Sequence, residues 1–541
     1  MNKLMKAVSF VMAASLVLAG CGGGNADKAG NVGGNEANPE TVDYFKLPEP
    51  VEMSVIKSVG PGLKLKSGET IEDNEYTNYV FNKTNIKTKV LWDASSTDFD
   101  QKMQLAIANN EIPDAMIVDE KTFRAMAAAD QLEDLTAVYK RYASPQMKDF
   151  YKSTDDKALE KATYDGKLMA IPSVAIQADA PSILWLRQDW LDKVNLKAPR
   201  TIDELKQVLH AFIEKDPDGN GQADTIGLTG NSFQLATDGG GIHDFKGIFN
   251  AFHSYPMIWI KDENGEVVYG STTFGTKQAL SAIHEMYAEG LIDKEFALRK
   301  NPDDLVLSGK AGAFFGPWWV PWALIDSLKH NPKADWKPFM IEDAKGQYNI
   351  ASVPVSNFFL VVRKGYAHPE AAVVYSNMRV QAERTPDKQA MKLDPGHGLW
   401  PLLMTVDYAD AATRKHDLLL DALAGKVKKE EMDGEMQLVY EQELRDRKNP
   451  RKNPDDWAAP AAYLLGAGIL KLPMNVTDPV YSAMTKTMES RWANLQKMET
   501  ETFYKIVLGD EPLNAFDQFV KDWKEQGGDK IVEEVKEELK K

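Results

Sequence analysis

A single cysteine in 541 residues rules out an intramolecular disulfide. Because that residue is Cys21, at the end of an apolar leader, it also leaves the folded part without a nucleophilic thiol. Histidine is equally sparse: the eight are scattered without the short spacings that hold zinc. No GxSxG, HExxH or GxxxxGK[ST] stretch occurs. The glycine run at 239–241 is not followed by GxxG or GK[ST], so it reads as a loop and not as a phosphate cradle. After the leader, no apolar run approaches the roughly 20 residues needed to cross a bilayer. Net positive charge is also missing. The formal charge of −16 would repel the phosphates of nucleic acid, which excludes that partner. Carboxylates are abundant, but nothing marks a pair arranged for glycoside hydrolysis.

What is present is a large globular chain. Its length exceeds what one core supports, so two large lobes or more are expected. A hydrophobic content of 43% with 12 tryptophans supplies ample core. Residues 1–20 carry Lys3 and Lys6 ahead of a short apolar stretch, the layout of a secretory signal. Leu18-Ala19-Gly20-Cys21 resembles the bacterial lipobox, and the resemblance implies that Cys21 is lipidated and becomes the first mature residue. Residues 21–49 then read as anchor and flexible tether, rich in Gly and Asn and poor in large apolar side chains.

From residue 51 the pattern alternates strand, helix, strand, helix: 51–59, 74–84, 86–92, 98–109 and 115–118. This predicts β-α-β units and a parallel sheet. In such sheets ligands meet the loops at the carboxyl ends of strands, which makes Asp93 and Asp119 candidate acceptors of ligand hydroxyls. Further strands are expected at 182–186, 348–353 and 358–363, with a hairpin at 258–269 turned by Asn264-Gly265. Beyond about residue 408 the chain reads as mostly helical.

The densest signal spans 201–225. Thr201 with Glu204 forms a capping-box signature, and Ile202, Leu205, Val208, Leu209 and Phe212 give one buried helical face. The sequence DPDGNGQADT follows. Asp216, Asp218, Asn220 and Asp224 place oxygens at positions 1, 3, 5 and 9, with Gly221 at the sharp turn. The backbone carbonyl of Gln222, with the hydroxyl of Thr225 or a water, would complete an expected Ca²⁺ loop; the other reading is a solvated Asp/Asn/Gly turn that ends the helix. Position 12 is Gly227 rather than the bidentate Glu of an EF-hand.

Several collinear stretches together resemble a known family. They are the lipobox, Asp165-Gly166-Lys167 leading to Ile171-Pro172, LWLRQDWLDKVNLKAPRTIDEL, DPDGNGQADTIGL, GKAGAFFGPWW and the final FDQFVKDWKEQGGDKIVEEV. These resemble family 1 extracellular solute-binding lipoproteins, in the LipO-like, carbohydrate-binding branch that serves ABC importers. The resemblance implies an α/β, two-lobed periplasmic-binding-protein-like fold, with a hinge between the lobes and extra C-terminal helices. Residues 50–170 and about 348–400 would form one lobe; about 171–347 and 401–541 would form the other. It also implies a structural Ca²⁺ in the acidic loop, where alginate-binding relatives carry an acid at the position of Thr225.

A carbohydrate ligand agrees with the residues themselves. Sugars stack their apolar ring faces on indoles, and Trp318, Trp319 and Trp400 stand in Gly/Pro-rich loops. The expectation is therefore a non-enzymatic receptor. It would be monomeric, lipid-anchored on the outer face of the cell membrane, and would hand a sugar to an ABC permease. Two other readings share the same features: a lipid-anchored extracellular polysaccharide hydrolase, and a peptide receptor of the same fold.

Overall fold

The computed structural model describes residues 42–540, apart from 61–62, 64, 232–234, 236–240, 300, 385–388, 391–392 and 394–397. Cys21 and most of the expected tether lie outside the described residues, as do Gly396 and His397 before Trp400.

The first lobe begins with Val51–Val59 and Ile86–Ser95, paired in parallel around the helix Glu75–Thr84. That helix starts where it does because the Asn74 side chain accepts from the backbone N–H groups of Tyr76 and Thr77, while the Thr77 hydroxyl accepts from the Asn74 N–H. Asn85 ends it at φ 61° in the left-handed region. The second strand continues to Ser95 instead of stopping at Trp92, because Lys57, Ser58 and Val59 still offer partners to Asp93, Ala94 and Ser95.

The next sheet departs from the expected parallel arrangement. Phe358–Val362 lies between Ala115–Asp119 and Ala170–Pro172 and runs against both. This central strand arrives from the other lobe and not from a crossover helix, so nothing in its connection requires a parallel entry. Phe123 and Phe359 stack 4.8 Å apart beneath it.

The second lobe is built on Ile183–Arg187, buried along its whole length. It lies between Ala313–Gly316 and Trp336–Phe339, both antiparallel to it. A strand covered on both faces reads as a continuous apolar run, which explains the ILWL sequence. The helices Ile202–Glu214, Phe274–Ala288, Lys486–Leu508 and Ala515–Trp523 contribute Leu209, Ile283, Phe503 and Phe519 to one apolar core. The C-terminal helices are therefore core elements: Trp523 is 1% exposed and lies nearly flat against Tyr269, 5.2 Å between ring centres.

Three strands of chain cross between the lobes side by side. Ser173 donates to the Phe358 carbonyl, Ala175 to Val355, Val174 to Thr405 and Gln177 to Ala409, at 2.8–3.1 Å. Around these crossings Ile350 and Val353 pack in a core of the second lobe, whereas Leu402 and Val406 pack in that of the first. Backbone hydrogen bonds between narrow crossing segments hold the lobes together while leaving few residues to absorb a change of angle.

Candidate functional site

The crossing segments form the floor of a long trough. At one end a cavity of about 670 Å³ opens between Ser153–Lys161 of the first lobe and the 478–483 segment. A second of about 230 Å³ continues under Trp259 and Trp492, sharing Ser352, Pro354 and Tyr481 with the first. A third of about 100 Å³ reaches Glu499, sharing Pro256, Met257 and Gln496 with the second.

The 478–483 segment is tied to both sides. Val480 N–H donates to the Trp259 carbonyl at 2.8 Å, and the Ser482 hydroxyl lies 3.3 Å from the Glu120 carboxylate. Glu120 also pairs with Lys161 at 2.8 Å, and the Lys161 ammonium donates to the Ser356 carbonyl at 3.2 Å.

On the second-lobe wall, Trp492 stacks on Trp259 with ring centres 6.2 Å apart and planes 26° apart. Trp259 is buried, whereas Trp492 and Tyr481 remain half exposed on the cavity. Such half-open aromatic surfaces, beside Met257, Met484 and Pro479, suit the apolar face of a ring. Asn250 lies on the same wall. It is 4% exposed, and neither its amide nitrogen nor its oxygen has a hydrogen-bond partner. Leaving such a group unsatisfied costs about 1–3 kcal/mol, and both amide atoms are sealed from the cavity by their neighbours.

A tight turn positions this wall. Met257 sits at φ 70°, an uncommon conformation for a residue with a long side chain. The Ser271 hydroxyl accepts from its N–H at 2.7 Å and donates to Glu499 at 2.7 Å. Tyr269 donates to the other Glu499 oxygen at 2.9 Å. Burial pushes the Glu499 carboxyl up to about 7, against the pull of these two hydroxyl donors.

Trp318 and Trp319 follow the strand Ala313–Gly316 in a turn behind this trough. Trp318 is 5% exposed and its indole N–H donates to Asp179 at 3.0 Å. Its ring packs 5.4 Å from that of Tyr463. Gly466 presses so close that an added Cβ would stand 1.9 Å from the Trp318 carbonyl oxygen. Trp319 is half-buried and also donates to Asp179, whose carboxyl is raised mainly by burial and drawn back by both indoles and by Lys246.

The other candidates stand apart from the trough or in different roles. Trp400 is 1% exposed, with the edges of Tyr76 and Tyr79 against it and the Arg379 guanidinium 3.9 Å from its ring centre. The Gly/Pro-rich stretch suggested an open loop, but aromatic neighbours remote in sequence bury it in the first-lobe core. Asp93 is an exposed strand residue opposite Lys57 rather than part of a loop. Asp119 ends its strand as expected, and its carboxylate accepts from the Thr122 N–H at 2.8 Å, capping the helix Glu120–Ala128.

The helix Ile202–Glu214 begins as its sequence suggests, with the Thr201 side chain accepting from the Glu204 N–H. The return contact falls one residue earlier: the Glu204 carboxylate accepts from the Arg200 N–H at 2.7 Å. In the acidic loop Asp216 takes φ 47°, with Gly219 and Gly221 also left-handed. Asp216 accepts from the N–H groups of Gly221 and Asn220. The Asn220 amide spans Asp218 and Asp224 at 2.8 and 2.9 Å, and its oxygen accepts from the Gln222 N–H. The Lys310 ammonium is 3.1 Å from Asp224.

Among the described residues no three His, Cys, Asp or Glu side chains converge as a metal cluster. The donor set nevertheless fits a hard cation. Asp216 and Asp218 share a carboxyl–carboxyl contact that holds Asp216 low; burial, and then that contact, holds Asp218 high, and the Thr225 hydroxyl is buried without a partner.

One constellation with the form of a hydrolase relay was not apparent in sequence. Thr229 Oγ1 is 2.6 Å from His243 Nδ1, and His243 Nε2 is 2.8 Å from Asp303. Thr229 has no exposed surface and lies on none of the three cavity walls, so no carbonyl can reach its hydroxyl in this conformation. The trough residues Asn250, Tyr481, Trp492 and Glu499 were likewise missed, since no local motif marks them.

Comparison with known proteins follows this geometry. Residues 67–378, more than half of the chain, match the family described as bacterial extracellular solute-binding protein. Lipoprotein LipO of Bacillus subtilis is 31% identical over 233 residues, 42% of this chain and 44% of LipO. The fructooligosaccharide ABC transporter substrate-binding protein FusA of Streptococcus pneumoniae is 30% identical over 222 residues, 38% of this chain and 39% of FusA. These two matches thus span less than half the length of either relative. The polygalacturonan/rhamnogalacturonan-binding protein YtcQ of B. subtilis is 24% identical over 412 residues, 70% of this chain and 72% of YtcQ. Among solved structures, the alginate-binding protein AlgQ2 without calcium ion superposes with a TM-score of 0.59 at 18% identity, covering 92% of this chain and 99% of AlgQ2. FusA in complex with kestose gives 0.61 at 17% identity, covering 91% and 99%. These likenesses show the same two-lobed fold. By the match across residues 67–378, the chain belongs to the bacterial extracellular solute-binding proteins.

Proposed function

We propose that the protein is an oligosaccharide receptor that delivers its ligand to an ABC importer. The observation that carries this reading is the trough wall. It sets the half-open rings of Trp492 and Tyr481 beside the partly exposed Gln496 amide. Aromatic faces and planar amides are the groups that hold sugar rings by face and by edge. The sugar-binding names of FusA and YtcQ support the same ligand class.

The remaining features complete the proposal. Cys21 carries the lipid, and residues 22–49 tether a monomeric receptor to the outer face of the membrane; the lipoprotein LipO supports the anchor. Lobe boundaries fall at the crossing segments, near residues 175, 355 and 407, a few residues beyond the 170, 348 and 400 expected from the sequence. Asp216, Asp218, Asn220 and Asp224, with the Gln222 carbonyl and the Thr225 hydroxyl, hold a Ca²⁺ whose part is to neutralise the clustered carboxylates and fix the loop. The protein releases its sugar chemically unchanged.

Incubation with a panel of oligosaccharides tests this reading. A raised melting temperature with intact sugar on chromatography is the expected result. Shortened products would establish a hydrolase, and stabilisation by peptides alone would establish a peptide receptor.

A further inference from the structure

We infer that Glu499, acting through Ser271, is a positioning residue for the ligand wall, and that ligand is held best when its carboxyl is ionised. This rests on the receptor reading above and adds a control to it: binding that strengthens as pH rises through neutrality.

Three hydrogen-bond donors meet at the inner end of the trough: the Met257 N–H, the Ser271 hydroxyl and the Tyr269 hydroxyl. With Glu499 ionised, each finds an acceptor. Met257 donates to Ser271 at 2.7 Å, Ser271 to one Glu499 oxygen at 2.7 Å, and Tyr269 to the other at 2.9 Å. A proton on either carboxyl oxygen adds a donor and removes an acceptor. The Glu499 O–H must then be received by Ser271 or by Tyr269, and the hydroxyl that receives it loses the acceptor for its own hydrogen. Both residues are at most 1% exposed, so bulk water does not make good the loss.

The disturbance falls on the binding wall. The Ser271 hydroxyl is the acceptor that holds Met257 at φ 70°, a conformation that persists only where its surroundings impose it. Met257 lines both inner cavities. Among the described residues no histidine lines any of the three cavities, and only Tyr269 among the titratable groups bonds to the Glu499 carboxyl. The others on neighbouring elements are engaged elsewhere. Tyr504 donates to the Asn231 carbonyl, Lys246 is drawn to Asp179, and His284 faces the Val507 carbonyl further along the Glu499 helix. Lys277 pairs with Asp517 at the surface, and Glu534 accepts from Thr487 near the start of that helix. Burial lifts the Glu499 carboxyl to about 7, so both of its forms are populated near neutral pH.

The full chain is titrated with kestose, maltotriose, xylotriose and trigalacturonate at about pH 6 and about pH 8, a range in which none of these sugars titrates. The tightest binder should gain about fivefold in affinity at the higher pH, and calorimetry in phosphate and in Tris at about pH 7 should show a proton released on binding. Glu499→Gln puts an amide donor where one carboxylate oxygen accepted, so it should bind at both pH values as weakly as the wild type does at the lower. Ser271→Ala cuts the link to Met257: its affinity should no longer depend on pH, while the pH dependence of stability that Glu499 confers persists. A merely structural carboxyl would move the melting curve and leave affinity and its pH profile as in the wild type; that result in Glu499→Gln overturns the inference, as does proton uptake, or no proton exchange, on binding. A second readout needs no sugar. Deuterium exchange of the peptide that holds Met257, corrected for the intrinsic rate, should slow about fivefold from the lower to the higher pH in the wild type and ignore pH in Glu499→Gln. Exchange that ignores pH in the wild type overturns the positioning role, whereas failure of all the sugars to bind counts against the receptor reading alone, so the two failures are read apart.

Discussion

The indole N–H of Trp318 donates to the Asp179 carboxylate at 3.0 Å, across 139 residues of chain. This bond ties the turn after Ala313–Gly316 to the segment that has just crossed from the first lobe. Both adjacent tryptophans reach Asp179, but their rings differ in burial. Trp318 is spent on packing with Tyr463, whereas Trp319 keeps part of its surface.

Substitutions should separate these roles. Trp318→Ala removes a ring that is 5% exposed and should cost about 3–5 kcal/mol of stability, as large-to-small changes in a core do. Trp319→Ala should cost less stability, because that ring is only half-buried, and should leave sugar affinity unchanged, because it lines none of the three cavities. Urea melts and titration with the best-binding oligosaccharide check both; weakened affinity in a stable Trp319→Ala would put that ring on the ligand.

Stability should depend on pH through Glu499. Its carboxyl is lifted from 4.5 to about 7 by burial. Between those values the folded protein holds a proton that the unfolded chain has released. The contribution is therefore complete below the unfolded value and declines as pH rises through 7, by up to about 3 kcal/mol. Glu499→Gln should flatten that decline. Denaturant midpoints measured at about pH 5 and about pH 8 decide it, and identical pH dependence in wild type and variant would rule out this group.

Calcium should stabilise the acidic loop. Burial and then the contact with Asp216 raise the Asp218 carboxyl, while the same contact lowers Asp216, and a cation between them would favour both charged forms. Chelation should lower the melting temperature, and Asp218→Ala should reproduce much of the loss while sparing sugar affinity. Calorimetry of stripped protein against Ca²⁺ reads this directly. A flat isotherm together with an unmoved melting curve would leave a hydrogen-bonded turn.

The anchor is tested by Cys21→Ser. The variant should appear in the soluble fraction with its sugar binding unchanged. Retention on membranes after a high-salt wash would show that something other than a lipid on Cys21 holds the protein there.

The sequence alone determined the elements whose causes are local. The Thr201 cap, the apolar face from Ile202 to Phe212 and the Asn264-Gly265 hairpin turn all appear in the structure, since neighbouring residues contain the whole signal. Collinear motifs were also enough to indicate the family and its two lobes. Tertiary structure decided everything that depends on residues distant in the chain. Trp400 looked like a loop aromatic until Tyr76, Tyr79 and Arg379 enclosed it. The direction of Phe358–Val362 followed from where the chain re-enters the first lobe, which no periodicity records. Asn250, Tyr481, Trp492 and Glu499 lie on a common trough only after two lobes and a C-terminal helix have packed. A buried amide without a partner, or a carboxyl titrating near neutrality, is a property of that packed environment and not of the residue.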